Sequence, residues 1–274
     1  MKENHLKEEL TLFLKQGGAD LVGVAPAGCW SQKGPGLDTF SPRLVWPSAQ
    51  SVVVFGMAMP LPVVETTPSA YHMELYRSCN RELDRLAFRA VKYLLSMDVA
   101  ASFFPRDGFG SLKYLKDKPH AAFDHRTAAY FAGLGTMGWN NSILTERYGP
   151  RARFASIFLD RPLSPDPVMT DELCIRCRLC IKLCPCAALE EKAGENPSVI
   201  FHRESCRLWH EKLTAQRRYP CGICIKVCPV GDDRRIYGAE KRSAIYLNEE
   251  QAIQQGSDDP LYRSWIHARS WGSE

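Results

Sequence analysis

Residues 174–185 read CIRCRLCIKLCP, and residues 221–229 read CGICIKVCP. The first run spaces its thiols as Cys174-x2-Cys177-x2-Cys180-x3-Cys184, and each run closes on a proline, Pro185 or Pro229. A loop with a thiolate at every third residue can curl around one cubane iron–sulfur cluster. The fourth cysteine, carried onto a following helix, points away toward a second cluster. Superposing the runs sets 174, 177, 180 and 184 against 218, 221, 224 and 228, and position 218 is Arg218. One ligand is missing from the second run, and Cys206 lies upstream to supply it. The spacing therefore predicts two crossed [4Fe–4S] ligand sets. Cys174, Cys177, Cys180 and Cys228 form one; Cys184, Cys206, Cys221 and Cys224 form the other. Zinc needs four ligands but no such run.

Of the 11 cysteines in 274 residues, only Cys29 and Cys79 fall outside this region. That clustering argues against a chain-wide disulfide framework. Cys29, Cys79 and the spare Cys186 read as small packing residues. Arg176, Arg178, Lys182 and Lys226 either offset the negative clusters or form a solvated face.

The rest of the composition, 45% hydrophobic and 24% charged, describes a globular chain and excludes a collagenous or disordered one. A formal charge of +4 is too mild to imply nucleic acid by itself. The N-terminal MKENHLKEEL has no apolar h-region, and no apolar stretch is long enough to span a bilayer. The expectation is a cytoplasmic protein with no membrane partner, where reduced, grouped thiols bind metal.

Upstream of the cysteines, residues 3–16 place Leu6, Leu10, Phe13 and Leu14 on one helical face. LVGVA (21–25), SVVVFGMA (51–58), VAASFF (99–104) and RFASIFL (153–159) read as strands. Residues 68–97 and 121–133 read as helices. The expected fold class is α+β: an N-terminal α/β domain (1–165), a two-cluster ferredoxin-like domain (166–232) and a helical tail (233–274) docked through Trp265 and Trp271.

Residues 124–163 resemble the epoxyqueuosine reductase family and its relatives, the reductive dehalogenases. The matching pieces are Ala132-Gly133-Leu134-Gly135, Gly138, Asn140, the Gly149-Pro150-x-Arg-Phe segment and Asp160-x-Pro162-Leu163, joined by Cys206 and the CGIC-x3-CP ending. The resemblance implies a nitroreductase-like domain holding a cobalamin, fed with electrons by the two [4Fe–4S] clusters. FMN is the alternative cofactor, and a stand-alone electron carrier with an N-terminal docking domain is the alternative function. Implied partners are a ferredoxin- or flavodoxin-type electron donor and a small-molecule or modified-nucleoside substrate. Gly133, Gly135, Gly138, Asn140, Arg151 and Arg153 are the expected cofactor contacts. Asp124, His125 and Tyr130 are the expected catalytic residues, with His120 and Arg126 nearby.

The sequence departs from epoxyqueuosine reductases in three places. Trp139 stands where the family has lysine, the aspartate of D-T-G-P has no clean match, and 42 residues after the cysteines leave no room for tRNA-gripping helical repeats. These departures argue against a tRNA substrate. The basic stretch Arg234-Arg235 with Lys241-Arg242 is the remaining nucleic-acid candidate.

Overall fold

The computed structural model describes residues 3–31, 40–106, 111–117, 121–194 and 198–271. It is a mixed α+β structure with two compact units. One comprises 1–58, 79–137 and 152–172, and the other 59–78, 138–151 and 173–274. The segments of the two units interleave along the chain. Residues 59–78 and 138–151 pack with the cysteines, and so does the whole C-terminal stretch.

The first unit is built on a four-stranded sheet in the order β1 (Leu21–Pro26), β2 (Ser51–Ala58), β4 (Ala152–Leu159), β3 (Ala101–Phe104), every neighbour antiparallel. Val53 pairs with Val24 on one side and Ile157 on the other. The inner strands β2 and β4 are buried at successive residues, from Ser51 to Met57 and from Phe154 to Leu159. That is why both read as continuous apolar runs rather than alternating ones. Helix α1 (Glu3–Gln16) buries Leu6, Leu10 and Leu14, while Phe13 stacks on Tyr93 at 4.6 Å. Helix α2 (Ala70–Leu95) buries Leu83, Leu86, Ala90 and Leu94 at i, i+3, i+7 and i+11, a continuous stripe on one face. Each such side chain contributes roughly 1.5–3 kcal/mol by leaving water.

One apolar cluster of the second unit consists of Leu179, Cys180, Leu189, Val227, Tyr246, Tyr262 and Trp265. Two C-terminal helices, α7 (Ser243–Gln254) and α8 (Pro260–Ser270), supply its aromatic residues and pack on each other. Trp265 is buried as expected. Trp271 is not: it is two-thirds exposed and meets only the His267 ring among its aromatic neighbours. The C-terminal stretch is therefore part of the cysteine unit rather than an appended tail. No described helix is long and apolar enough to cross a membrane.

Candidate metal centre

The two cysteine runs fold alike. Arg178 and Gly222, equivalent in the superposed runs, both adopt left-handed backbone angles (φ 63 and 72°) and each caps a short helix, α4 (Leu179–Lys182) or α6 (Ile223–Lys226). These helices pack together. Arg176 is also left-handed at φ 52°, an uncommon state for a residue with a Cβ. Two such residues turn the loop sharply between Cys174 and Cys180.

The electrostatic neighbourhoods of the thiols fall into two groups. Burial pushes the Cys180 thiol up to about 12, and the neighbouring Cys228, Cys177 and Cys174 push it the same way. Burial also raises Cys206 to about 12, here with Cys221 and Cys184 as neighbours. Cys224 lies well above the ordinary thiol range, foremost from burial and then from Cys221, Cys206, Cys180 and Cys184. Cys224 thus senses Cys180 of the other predicted set as well as Cys221, Cys206 and Cys184 of its own. A cleft partly open to solvent is lined by Trp139, Asn140, Leu144, Cys174, Cys177, Cys180 and Cys228. Cys177 is exposed there, whereas Cys221 is buried.

Cys186 is less isolated than its reading as packing implied. Its Sγ lies 3.8 Å from that of Cys184, and it also senses Cys206 and Cys221. Among the described residues, no three His, Cys, Asp or Glu side chains converge closely enough for one bare metal ion.

Several groups suit thiolate rather than thiol. The Ala188 N–H donates to Cys184 Sγ at 3.2 Å. The indole N–H of Trp209 is buried without an oxygen or nitrogen acceptor and draws down the Cys221 thiol, against the stronger upward push of burial. Sequence reasoning missed Trp209 and His210. Their signal was helical spacing: Cys206, Trp209, His210 and Leu213 lie at i, i+3, i+4 and i+7 on the helix Arg203–Ala215. His210, held neutral because burial drops its pKa to about 4, accepts from the Cys221 N–H at 3.4 Å.

Cations also surround the second run. Lys226 is fully buried, 2.7 Å from Glu249 and 3.9 Å above the Trp265 ring, and burial lowers its pKa to about 8 despite Glu249. It is not part of a solvated face. Arg178 is exposed and paired with Glu191 at 2.7 Å. Arg176 lies over the Trp139 ring.

The other expected site residues have mostly structural surroundings. Arg151 is fully buried and uses all five guanidinium N–H groups inside the chain. Nε and Nη2 clamp Asp233 at 2.7 and 2.6 Å, and the rest reach the carbonyls of Val230, Cys228 and Ile225 at 2.6, 3.1 and 3.4 Å. No donor is left for a cofactor. Its role is to fix the chain around Cys228. Asn140 bonds Ser142 N and the Cys224 carbonyl. A Cβ on Gly133 (φ 69°) would sit 2.2 Å from the Pro167 carbonyl oxygen, so the chain itself requires glycine there. Gly138 is closed by Asn140 and Leu144, and Gly135 is buried. Arg153 donates to Asn80 Oδ1 at 2.9 Å.

Asp124 caps helix α3 (His125–Phe131), accepting from Arg126 N at 2.9 Å, the Arg126 guanidinium at 3.0 Å and Thr127 Oγ1 at 3.1 Å. Burial alone would raise its pKa. The charge and hydrogen bonds of Arg126, with Thr127, outweigh that and hold it below the ordinary carboxylate range. It serves as the cap of this helix. Both ring nitrogens of buried His125 are engaged, with Ser156 Oγ at 2.8 Å and the Pro105 carbonyl at 3.1 Å, so it too is structural. Tyr130 is half-buried, edge-on to Phe131, and its hydroxyl makes no hydrogen bond to a described residue. His120 lies outside the described residues.

The basic stretch is divided, with Arg235 and Lys241 exposed and the other two cations engaged inside the chain. Arg234 is 2% exposed, and Arg242 is ion-paired to buried Glu65, which also accepts from the Tyr246 hydroxyl.

No protein-family model matches the chain. The chain is 24% identical to a tetrachloroethene reductive dehalogenase of Desulfitobacterium hafniense over 81% of its length and 48% of that protein's. It is 33% identical to an epoxyqueuosine reductase of Pseudomonas aeruginosa over 49% of its length and 44% of that protein's. The chain thus spans about half the length of the curated relatives it matches. Its fold is shared with a solved reductive dehalogenase whose structure suggests a mechanism for B12-dependent dehalogenation. The TM-score is 0.64 at 20% identity, covering 96% of this chain and 39% of that one.

Proposed function

The chain is a relative of the epoxyqueuosine reductases and the reductive dehalogenases, and from that premise we propose that it is an iron–sulfur reductase. Two [4Fe–4S] clusters, a cobalamin, and an external ferredoxin- or flavodoxin-type donor complete the proposal, with a small molecule or modified nucleoside as substrate. When bound, these cofactors supply one-electron transfer and the cobalt centre for the reduction.

The observation that carries the cluster assignment is the partition of the thiols. Cys180 senses Cys228, Cys177 and Cys174, whereas Cys206 senses Cys221 and Cys184. Crowded, buried thiolates are costly unless a cationic centre binds them, and the donors at Ala188 and Trp209 suit sulfur that carries charge. This donor set fits a cluster. Within the chain, Ala188 and Trp209 orient sulfurs, and Arg151 holds the loop that carries Cys228.

The cobalamin half of the proposal rests on kinship. Gly133, Gly138 and Arg151 serve the chain's own packing, so no step is derived through a corrinoid. Gly135, Asn140 and Arg153 remain its proposed contacts, and Tyr130, with its unbonded hydroxyl, is the proposed proton donor. The burial of Arg234 and the pairing of Arg242 favour a small substrate over tRNA.

The test is anaerobic purification with iron and sulfide quantification, followed by spectra with added cobalamin or FMN. We expect about eight irons per chain, four for each cubane, and a cobalamin-dependent spectral change. Full iron content with neither cofactor bound would establish the electron-carrier reading instead.

A further inference from the structure

A charge in a protein interior is costly unless it is paired. Three of the buried cations in the cysteine unit obey this rule. Arg151 faces Asp233, Lys226 faces Glu249, and Arg207 faces Glu204 and Glu211. Arg234 does not.

Its side chain is 2% exposed. Nε donates to the Cys228 carbonyl at 2.9 Å, and Nη2 to the Lys226 carbonyl at 2.6 Å. Nη1 donates to the Ala239 carbonyl at 3.2 Å and the Tyr246 hydroxyl at 3.0 Å. All four acceptors are neutral. Among the described residues, Arg234 has no carboxylate partner. Its hydrogen bonds are satisfied, but its charge is not.

We propose that the anionic cluster ligated by Cys174, Cys177, Cys180 and Cys228 is the counter-ion of Arg234, and that Arg234 holds this cluster at a higher reduction potential than the chain would otherwise give it. The inference rests on the cluster assignment proposed above and adds to it a residue outside the ligand set. Reduction adds one negative charge to the cubane. A fixed cation in a low-dielectric interior stabilises the more negative, reduced form more than the oxidised one. Arg151 also donates to the Cys228 carbonyl and draws the Cys228 thiol down, but its charge is already paired with Asp233 in a bidentate contact, whereas that of Arg234 is not. The effect is therefore assigned to Arg234. Its link to the ligands runs through the Cys228 carbonyl, so the effect is assigned to the cluster that Cys228 holds. Arg234 is an electrostatic positioning residue, since it touches a ligand's backbone and no reacting atom.

The test is a redox titration of the anaerobically reconstituted full chain, monitored by electron paramagnetic resonance. Wild type is compared with Arg234→Gln and Arg234→Lys. Glutamine keeps hydrogen-bonding groups and removes the charge; lysine keeps the charge. We expect a shift to lower potential for one cluster in Arg234→Gln, no shift for the other, and substantial recovery in Arg234→Lys. Repeating the titration in Cys206→Ser, which removes the other set's ligand, assigns the shifted signal. Loss of that one cluster in Arg234→Gln with retention in Arg234→Lys is the same dependence on charge in stronger form. An unchanged midpoint in Arg234→Gln, an equal shift of both clusters, or loss of the cluster in both variants would overturn the proposal. Iron analysis separates this from failure of the underlying reading: wild type without iron refutes the clusters, whereas wild type with both clusters leaves Arg234 alone on trial.

Discussion

In the sheet unit the side chains taken out of water are Val52, Val54, Phe55, Ile157, Phe158 and Leu159; in the cysteine unit they include Arg151, Lys226, Asp233 and Arg234. Apolar burial is favourable wherever it occurs, so the first unit is held by its own strands. Charge burial is favourable only when the partners are in place. The cysteine unit combines apolar clusters, one of which includes Cys180, with neighbouring thiols that repel one another once ionised. Under the proposed cluster assignment its stability is tied to what the thiols bind, and that of the sheet is not.

The sharpest way to break this contrast is to remove iron. Bound metal contributes on the order of 10 kcal/mol to small structural metal sites. Chelation should abolish amide-exchange protection in the cysteine unit, in α7 and α8 above all, while β2 and β4 stay protected. Equal loss in both units would mean that the sheet also depends on the clusters.

A smaller effect tests the buried ion pair itself. Asp233→Ala leaves Arg151 fully buried and uncompensated, which costs about 3–5 kcal/mol. Chemical denaturation of the iron-loaded protein should show this cost in the transition of the cysteine unit and leave that of the sheet unit in place. A cost below 1 kcal/mol would mean that water reaches Arg151.

In the sheet unit the corresponding polar feature is only a cap. Asp124→Ala should cost about 1 kcal/mol at neutral pH. Because the folded pKa of Asp124 is depressed, its contribution is complete above the unfolded value of about 3.9 and disappears as pH falls through the folded one. Wild type and variant should therefore converge in acid. A constant difference across pH would assign the cost to packing. Trp271→Ala should change stability by less than about 0.5 kcal/mol, since its ring is mostly in water. A larger cost would give Trp271 the docking role expected from the sequence.

How far the sequence could be read follows the same division. Strands 21–25, 51–58 and 153–159 differ from the observed bounds by at most one residue, because burial on both faces leaves an unbroken apolar signature. The cysteine runs offered a different kind of signal, since ligand spacing is dictated by the size of the cluster they are proposed to hold. What escaped was polar. Asp124 and His125 carry residue types suited to proton transfer, but only the fold shows that Arg126, Ser156 and the Pro105 carbonyl occupy their polar atoms. Arg234 and Lys226 look like surface charge in a hydrophilic stretch. Nothing local in the sequence signals that Tyr246 and Trp265 close over them. Gly133 was read as access for a cofactor, yet the nearest atom to its missing Cβ belongs to Pro167.

The most direct test of the account is iron stoichiometry across three proteins: wild type, Cys206→Ser and Cys186→Ser, each reconstituted anaerobically. The crossed assignment predicts about eight irons in wild type, about four in Cys206→Ser and about eight in Cys186→Ser. Full iron retained in Cys206→Ser with loss in Cys186→Ser would contradict it, making the thiol 3.8 Å from Cys184 a ligand in place of Cys206.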